Sequence, residues 1–368
     1  MHPVITPRDA GFRMPAEWAH HASTWIAWPS HADLWQDDLE PARAAVARLV
    51  AAVADGETVE VLVPDEANER LARAALSYPR TRFHRIPFGD IWLRDTAPVF
   101  LDNPSGDEAS VRFAFNGWGG KFVLEGDDRV AERIADVAGV RSFAMPLVLE
   151  GGAVEVDGEG SVLVTRQCLL NPNRNPTMQT PDIERAICDS LGCEKTLWLG
   201  DGLDNDHTDG HVDTIARFAQ PGVLVVMEPR AADDPNRDVL RAIARDAAAL
   251  VDARGRRLEV VRIPSPGRVT DPAGRVLPAS YVNFYVSNAA VVVPTYGSPF
   301  DDEAVERVSA LFPGRRTTGI DARAVLSGGG AFHCITQQQP GDTKNVTKKG
   351  LGSPPPSDRA PPAEGRAP

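Results

Sequence analysis

Tyr281-Val282-Asn283-Phe284-Tyr285-Val286-Ser287-Asn288-Ala289-Ala290-Val291-Val292-Val293 holds two strand-like runs, 281–286 and 289–293, with only Ser287-Asn288 between them. A helical pattern follows at 301–311. This is a β-β-α rhythm rather than strict β-α-β alternation. Working back along the chain, runs rich in Val, Ile and Phe recur at 59–63, 111–115, 162–165, 223–227 and 258–263. Helical patterns alternate with them at 40–54, 65–76, 128–137, 181–191 and 233–251, several opening on an acid or a proline as the helix dipole prefers. No break in composition divides the series, so the expectation is one α/β domain over 1–340. The last 28 residues, 341–368, hold six prolines and four glycines and almost no large apolar side chain, and they are expected to be disordered.

Composition narrows the partners. The 368 residues are 42% hydrophobic and 24% charged, within the soluble globular range. Lys and Arg number 39 against 51 Asp and Glu, a net charge of −12, which argues against nucleic acid or an anionic membrane and for a cationic small molecule. No apolar run approaches the roughly 20 residues of a membrane span. Met1-His2-Pro3-Val4-Ile5-Thr6 lacks the build of a signal peptide, so the expected location is the cytoplasm. Cys168, Cys188, Cys193 and Cys334 contain no Cys-x-x-Cys pair, and Cys188 and Cys193 read as packing thiols. Neither a Walker pattern nor Gly-x-Gly-x-x-Gly is present, so no nucleotide cofactor is expected.

Four polar clusters interrupt the apolar pattern. In Ser327-Gly328-Gly329-Gly330-Ala331-Phe332-His333-Cys334 three glycines precede one cysteine, an approach that suits a ligand and that a packing cysteine does not need. In Asp206-His207-Thr208-Asp209-Gly210-His211-Val212-Asp213, His211 and Asp213 would share a face of an extended segment, putting a proton carrier beside a carboxylate. His207 and His211 could instead suggest a metal, but Gly210 breaks the helix such a pair needs. Gly89-Asp90-Ile91-Trp92-Leu93-Arg94-Asp95 sets two acids around an Arg, which reads as an ion-pair partner of one of them. Glu150-Gly151-Gly152 is a weaker signal that a plain turn would also give, and the Asn/Pro loop 171–176 stands as its partner.

A cysteine with a distant His and acids also fits a hydrolase of the protease kind. Several acids, Asp95, Glu150, Asp209 and Asp213, suit a cation better, and a planar guanidinium is the group that paired carboxylates grip. Asp209, with the acids crowded before His211, is a candidate for a substrate's amine; Trp92 and Trp118 are candidates to pack on its alkyl chain or to be core.

Trp-Leu-Arg-Asp at 92–95, Glu-Gly-Gly at 150–152, Gly-His-Val-Asp at 210–213 and Gly-Gly-Gly-x-x-His-Cys-Ile-Thr-Gln-Gln at 328–338 together resemble the agmatine deiminase family, also called the bacterial-type peptidylarginine deiminase family. The likeness runs from Trp28-Pro29-Ser30 to Gln339-Pro340. It implies a pentein fold, an α/β-propeller of five ββαβ-type units around a pseudo-fivefold axis. It implies deimination of agmatine to N-carbamoylputrescine and ammonia, with no cofactor and no metal, and a possible homodimer. By this resemblance Cys334 is the nucleophile and His211 the general acid and then base. Asp95 and Asp213 hold the guanidinium nitrogens, and Glu150 bonds a substrate nitrogen or His211. Deimination of peptidylarginine, amidinotransfer, a non-catalytic guanidine-binding protein and a metal-dependent hydrolase are the alternatives.

Overall fold

The structure is a computed structural model that describes residues 5–341. The expected disorder of the tail therefore lies, beyond Gly341, outside the described residues. Among these residues the strands form five small sheets. β1 (His21–Ala27), β2 (Thr58–Val63) and β3 (Thr81–Arg85) run parallel in the first. The next four sheets repeat one pattern: β4 (Val99–Asp102), β5 (Glu108–Ala114), β6 (Arg141–Val148); β7 (Glu155–Val156), β8 (Ser161–Thr165), β9 (Lys195–Leu199); β10 (Ala216–Gln220), β11 (Val223–Glu228), β12 (Glu259–Pro264); β13 (Tyr285–Val286), β14 (Ala290–Thr295), β15 (Arg316–Asp321). In each the first strand pairs antiparallel with the second and the second parallel with the third. A parallel pair needs a crossover. The helices Asp127–Ala138, Thr180–Leu191, Arg237–Ala249 and Asp301–Leu311 supply the four crossovers.

The fifth unit is assembled from the two ends of the chain. β16 (Thr336–Pro340) lies antiparallel to β1, with Trp25 opposite Gln337, and the helix Leu39–Val53 crosses from β1 to β2. β16 is polar in sequence, yet most of it is buried. Hydrogen bonds make that tolerable: Gln338 accepts from Arg94 at 2.7 Å and Gln339 from the Trp25 indole at 3.0 Å. The result is the five-unit α/β propeller expected from the resemblance.

Two expected elements are shorter than the pattern suggested. The run 281–286 is strand only at Tyr285–Val286. Tyr281 is drawn aside by its hydroxyl, which donates to Asp301 at 2.5 Å, and the Asn283 amide bonds to the connection that follows β15. The run 233–251 is helix over Arg237–Ala249, because the Asp234 carboxylate accepts from the Asn236 N–H at 2.9 Å and holds a turn in front of it.

One consequence of this order positions the site. The last strand of each unit hands the chain to the first strand of the next through a connection, and each of the five connections carries a polar group: Asp95 after β3, Glu150 after β6, His211 and Asp213 after β9, Asn283 after β12 and Cys334 after β15. Five units of related topology thus deliver five segments to the middle of the ring.

Candidate active site

Cys334 ends the glycine run, and the glycines are there for room. A Cβ on Gly330 would stand 2.8 Å from the Trp92 ring and 2.9 Å from the Cys334 Cβ, and one on Gly328 would meet Trp92 and Trp35 at 2.8 and 2.9 Å. The loop therefore lies flat against two tryptophans, which Asp90 fixes by accepting from the Trp35 and Trp92 indoles at 2.9 and 2.7 Å. The sulfur itself is 3.1 Å from the Asn283 side-chain nitrogen and 3.5 Å from Asp213 Oδ2. Asn283 is oriented in turn by the His333 N–H, which donates to its Oδ1 at 3.1 Å.

Across from the sulfur the acids and His211 converge on Gly152. A Cβ there would lie 2.7 Å from His211 Nδ1, 2.9 Å from Asp95 Oδ1 and 3.1 Å from Asp213 Oδ2. Only glycine leaves that space open. The Gly152 N–H and the Trp118 indole donate to Asp95 at 2.9 and 2.8 Å, and His211 Nδ1 stands 3.8 Å from Asp95. The other ring nitrogen, Nε2, is 3.9 Å from Glu150 Oε2. Glu150 Oε1 accepts from Arg174 Nε at 2.7 Å, and Arg174 continues to Asp209 at 2.7 Å. His211 and Asp213 do not lie on an extended segment: Val212–Thr214 is a single 3-10 turn with His211 at its head. The turn brings the two side chains together in place of the strand alternation expected for them.

Electrostatics sharpen the picture. All five ionisable groups, Asp95, Glu150, His211, Asp213 and Cys334, are buried. Burial pushes the Cys334 thiol well up, and the Asp213 and Asp95 carboxylates push it further. Burial would lower His211, but Asp95, Cys168 and Glu150 overcome it and hold the imidazole well above its ordinary value. Asp95 is raised by burial and by its acidic neighbours, against His211. Burial opposes ionisation of Glu150 and Asp213 too, yet both are held low, Glu150 by His211 and Arg174 and Asp213 by His333, His211 and Arg217. The free site is thus a neutral thiol, a charged imidazole and at least two carboxylates. Glu150 Oε2, Asp213 Oδ1 and both His211 nitrogens are buried without a hydrogen-bond partner among the described residues. The two carboxylate oxygens left open are costly unless a donor-rich ligand meets them.

Other expected residues take different places. Asp209 is spoken for: Lys121 reaches Oδ1 at 2.6 Å, and Arg174 and Asn173 reach Oδ2 at 2.7 and 2.9 Å. Trp118 touches the site through Asp95, whereas Trp92 forms the wall behind the glycine loop. Arg94 pairs with neither neighbouring acid but with Glu17, at 3.2 Å, because its side chain runs behind the Cys334 segment and bonds the His333 carbonyl at 3.2 Å. His207 is half-buried against the Phe122 ring, 5.6 Å away, and is not gathered with His211. Among the described residues the one group with potential metal-ligand atoms within 4.8 Å of each other is Glu150, Cys168 and His211, of which Glu150 already holds the Arg174 cation. Asn283 and Glu17 carry no motif that sequence reasoning could weigh. His333 lies in the Gly-Gly-Gly-x-x-His-Cys motif, which assigns it no role, and Arg174 lies in the Asn171 to Pro176 loop.

A five-unit propeller with a cysteine, a histidine and paired carboxylates at its centre defines a guanidine-modifying class of protein. The family model of the Porphyromonas-type peptidyl-arginine deiminases matches residues 13–340, and the chain belongs to that family. Within it, agmatine deiminases of Ectopseudomonas mendocina and Pseudomonas aeruginosa are each 39% identical, with 92% and 93% of this chain aligned to 98% and 99% of theirs. The solved agmatine deiminase of Enterococcus faecalis, 35% identical, superposes with a TM-score of 0.87 over 91% of this chain and 98% of its own. The likeness therefore spans the whole ring and is not confined to one unit.

Proposed function

We propose that this protein is an agmatine deiminase, hydrolysing agmatine to N-carbamoylputrescine and ammonia. The observation that carries the reading is the pair of open, buried acceptors, Glu150 Oε2 and Asp213 Oδ1, on acids gathered with Asp95 and His211, Asp213 standing beside the Cys334 sulfur. A guanidinium stays charged at neutral pH, so the enzyme must attack a cation, and carboxylates offset its desolvation. The bound cation also opposes the two carboxylates that keep the thiol protonated, so the thiolate forms with substrate in place.

In this mechanism the Cys334 proton leaves to solvent as the cation binds, Sγ bonds to the guanidinium carbon and a C=N electron pair moves onto nitrogen. His211 then gives its proton to the departing nitrogen, the C–N bond breaks and ammonia leaves an amidino-thioether. The neutral imidazole next takes a proton from water, whose oxygen adds to the same carbon. The C–S bond breaks and a ureido product and the thiol are restored. Asp95 and Asp213 hold the nitrogens, and Glu150 meets a substrate nitrogen or His211.

Agmatine is favoured over arginine by the disposition of the cations. Arg174 spends its donors on Glu150, Asp209, Asn173 and the Thr208 carbonyl, and Lys121 on Asp209 and the His207 carbonyl, so neither is free for an α-carboxylate. Deimination of peptidylarginine is the second reading, on the family's name; the burial of every site side chain argues for a small free substrate. Asp209 acts here as the clamp on Arg174 and not as an amine contact. No helix among the described residues is long and apolar enough to cross a membrane. A cytoplasmic location agrees with four cysteines that are all free. A single domain over 1–340 completes the reading, with a homodimer possible on the resemblance alone.

The test is incubation with agmatine, arginine and an arginine-containing peptide, following ammonia and ureido product, with Cys334→Ala as control. Turnover of agmatine alone, abolished by the substitution, supports the reading. Peptide turnover replaces it with the second, and no turnover removes both.

A further inference from the structure

Behind the nucleophile lies a buried charge network that the mechanism above does not use. His333 Nδ1 is 2.7 Å from Asp213 Oδ2, and its Nε2 is 2.9 Å from Glu17 Oε2. The ring is thus bridged between two carboxyl groups, one on each nitrogen. Glu17 comes from the segment before β1. It is held by Arg217 at 2.9 Å and Arg94 at 3.2 Å and accepts the Val286 N–H at 2.8 Å. Arg217 also bonds Glu155 at 2.8 Å. The charged groups that surround the ring are thus Asp213, Glu17, Arg94, Arg217 and Glu155, with Cys334 and His211 beyond Asp213, and all are buried. Three acidic side chains, Glu17, Glu155 and Asp213, thus pack with the guanidinium groups of Arg94 and Arg217 around one imidazole.

An apolar core would be cheaper to build, since replacing a buried ion network with apolar side chains is often neutral or stabilising. Its place explains its retention. The oxygen of Asp213 that His333 grips is the one 3.5 Å from the sulfur, while the other, Oδ1, is left open. The ring is also the residue directly before the nucleophile, so any shift of the imidazole moves Cys334 with it.

We propose that His333 is a positioning residue of the site: clamped between Glu17 and Asp213, it fixes the Asp213 oxygen beside the sulfur, leaves the other open for the guanidinium, and holds the segment that carries Cys334 in place. This rests on the deiminase reading for the guanidinium, and on geometry alone for the clamp and the thiol. Glu17 acts through His333, which ties a residue near the start of the chain to a reaction near its end.

The experiment compares His333→Ala, His333→Asn and Glu17→Gln, purified as the full chain and checked by thermal melting. Two readouts are taken: agmatine kcat and KM, and the pH dependence of Cys334 alkylation by a neutral haloacetamide, which needs no substrate. In the proposal His333→Ala lowers kcat/KM by about 10- to 100-fold, the size of a hydrogen bond to a charged group. His333→Asn, whose amide can still donate to Asp213, recovers part of that loss. His333→Ala takes the partner from the Asp213 oxygen beside the sulfur and slows alkylation at fixed pH by about tenfold as the profile moves to higher pH; Glu17→Gln, which loosens the ring from its far side, slows it less. Alkylation profiles that coincide with the unsubstituted protein, with equal losses in His333→Ala and His333→Asn, overturn it and leave His333 a packing residue. If His333→Ala fails to fold, Glu17→Gln decides alone, because it keeps the volume and only weakens the hold on the ring. Failure of agmatine turnover in the unsubstituted protein would count against the deiminase reading, while the alkylation arm would still decide the clamp.

Discussion

The Asn283 amide nitrogen lies 3.1 Å from the Cys334 sulfur while its oxygen accepts the N–H of His333. A donor held that way meets the lone pair of the thiolate and has no equivalent role toward a thiol. Asn283→Ala is expected to slow agmatine turnover by about 10- to 100-fold with little change in KM. Asn283→Asp adds a carboxylate beside a sulfur already faced by two, and should slow alkylation of the free thiol further. Steady-state kinetics and alkylation rates check both.

Because burial and the Asp213 and Asp95 charges raise the thiol, the free protein at pH 7 holds less thiolate than an ordinary cysteine. A chloroacetamidine, which carries the cation into the site, should inactivate the protein at least about tenfold faster than the neutral chloroacetamide of the same shape. Equal rates would mean that the thiolate does not depend on the bound cation. His211, held well above its usual value by Asp95, keeps its proton through neutral pH. Its competence as an acid is lost only as the pH climbs past that raised value, so turnover should persist on the alkaline side of neutrality.

Arg174 balances Glu150 and Asp209 in a buried position. Arg174→Met leaves both acids without it and should destabilise the fold by about 3–5 kcal/mol, read as a fall in the denaturation midpoint. Agmatine turnover should fall with it, since Glu150 loses the cation that helps to keep it ionised.

Asp127 opens the helix Asp127–Ala138, and its Oδ1 accepts the Gly89 N–H at 2.7 Å while Oδ2 has no partner among the described residues. Burial pushes this carboxyl up to about 7. A raised acid favours the folded state below its unfolded value near 3.8, and that contribution disappears as the pH climbs through about 7. Asp127→Asn, which keeps the acceptor, should therefore stabilise the protein at pH 8 by about 1–3 kcal/mol and change little at pH 4. Melting temperatures at the two pH values decide it.

Prolonged dialysis against a strong chelator should leave agmatine turnover intact. Loss of activity that zinc restores would shift attention to Glu150, Cys168 and His211 as ligands.

The sequence spoke clearly where chemistry and backbone needs coincide in one short run. Glycines 328–330 announce the close approach to Trp92, and Cys334 follows at once. It was silent where a residue does its work at long range. Asn283 sits in a run of Tyr, Val and Phe that reads as packing strand, and only the break at Ser280–Phe284 turns it toward the sulfur, 51 residues away. Glu17 has no motif at all, and its meaning depends on Arg217 and His333, which lie on other units. The strand Thr336–Pro340 escapes an apolar pattern because its burial rests on Arg94 and Trp25, not on its own side chains. The short 3-10 turn at Val212–Thr214 shows the opposite error, a correct pairing of His211 with Asp213 reached through the wrong local geometry.

The seam between β1 and β16 has a temporal meaning as well as a spatial one. During synthesis four sheets can be complete and folded while the N-terminal strand still waits with a bare edge. The thiol lies two residues ahead of the strand that closes that edge, so a nascent or truncated chain holds its carboxylates and imidazole without a seated nucleophile. Chemistry is switched on by the final stitch, and a chain cut before Thr336 should be both inert and sticky.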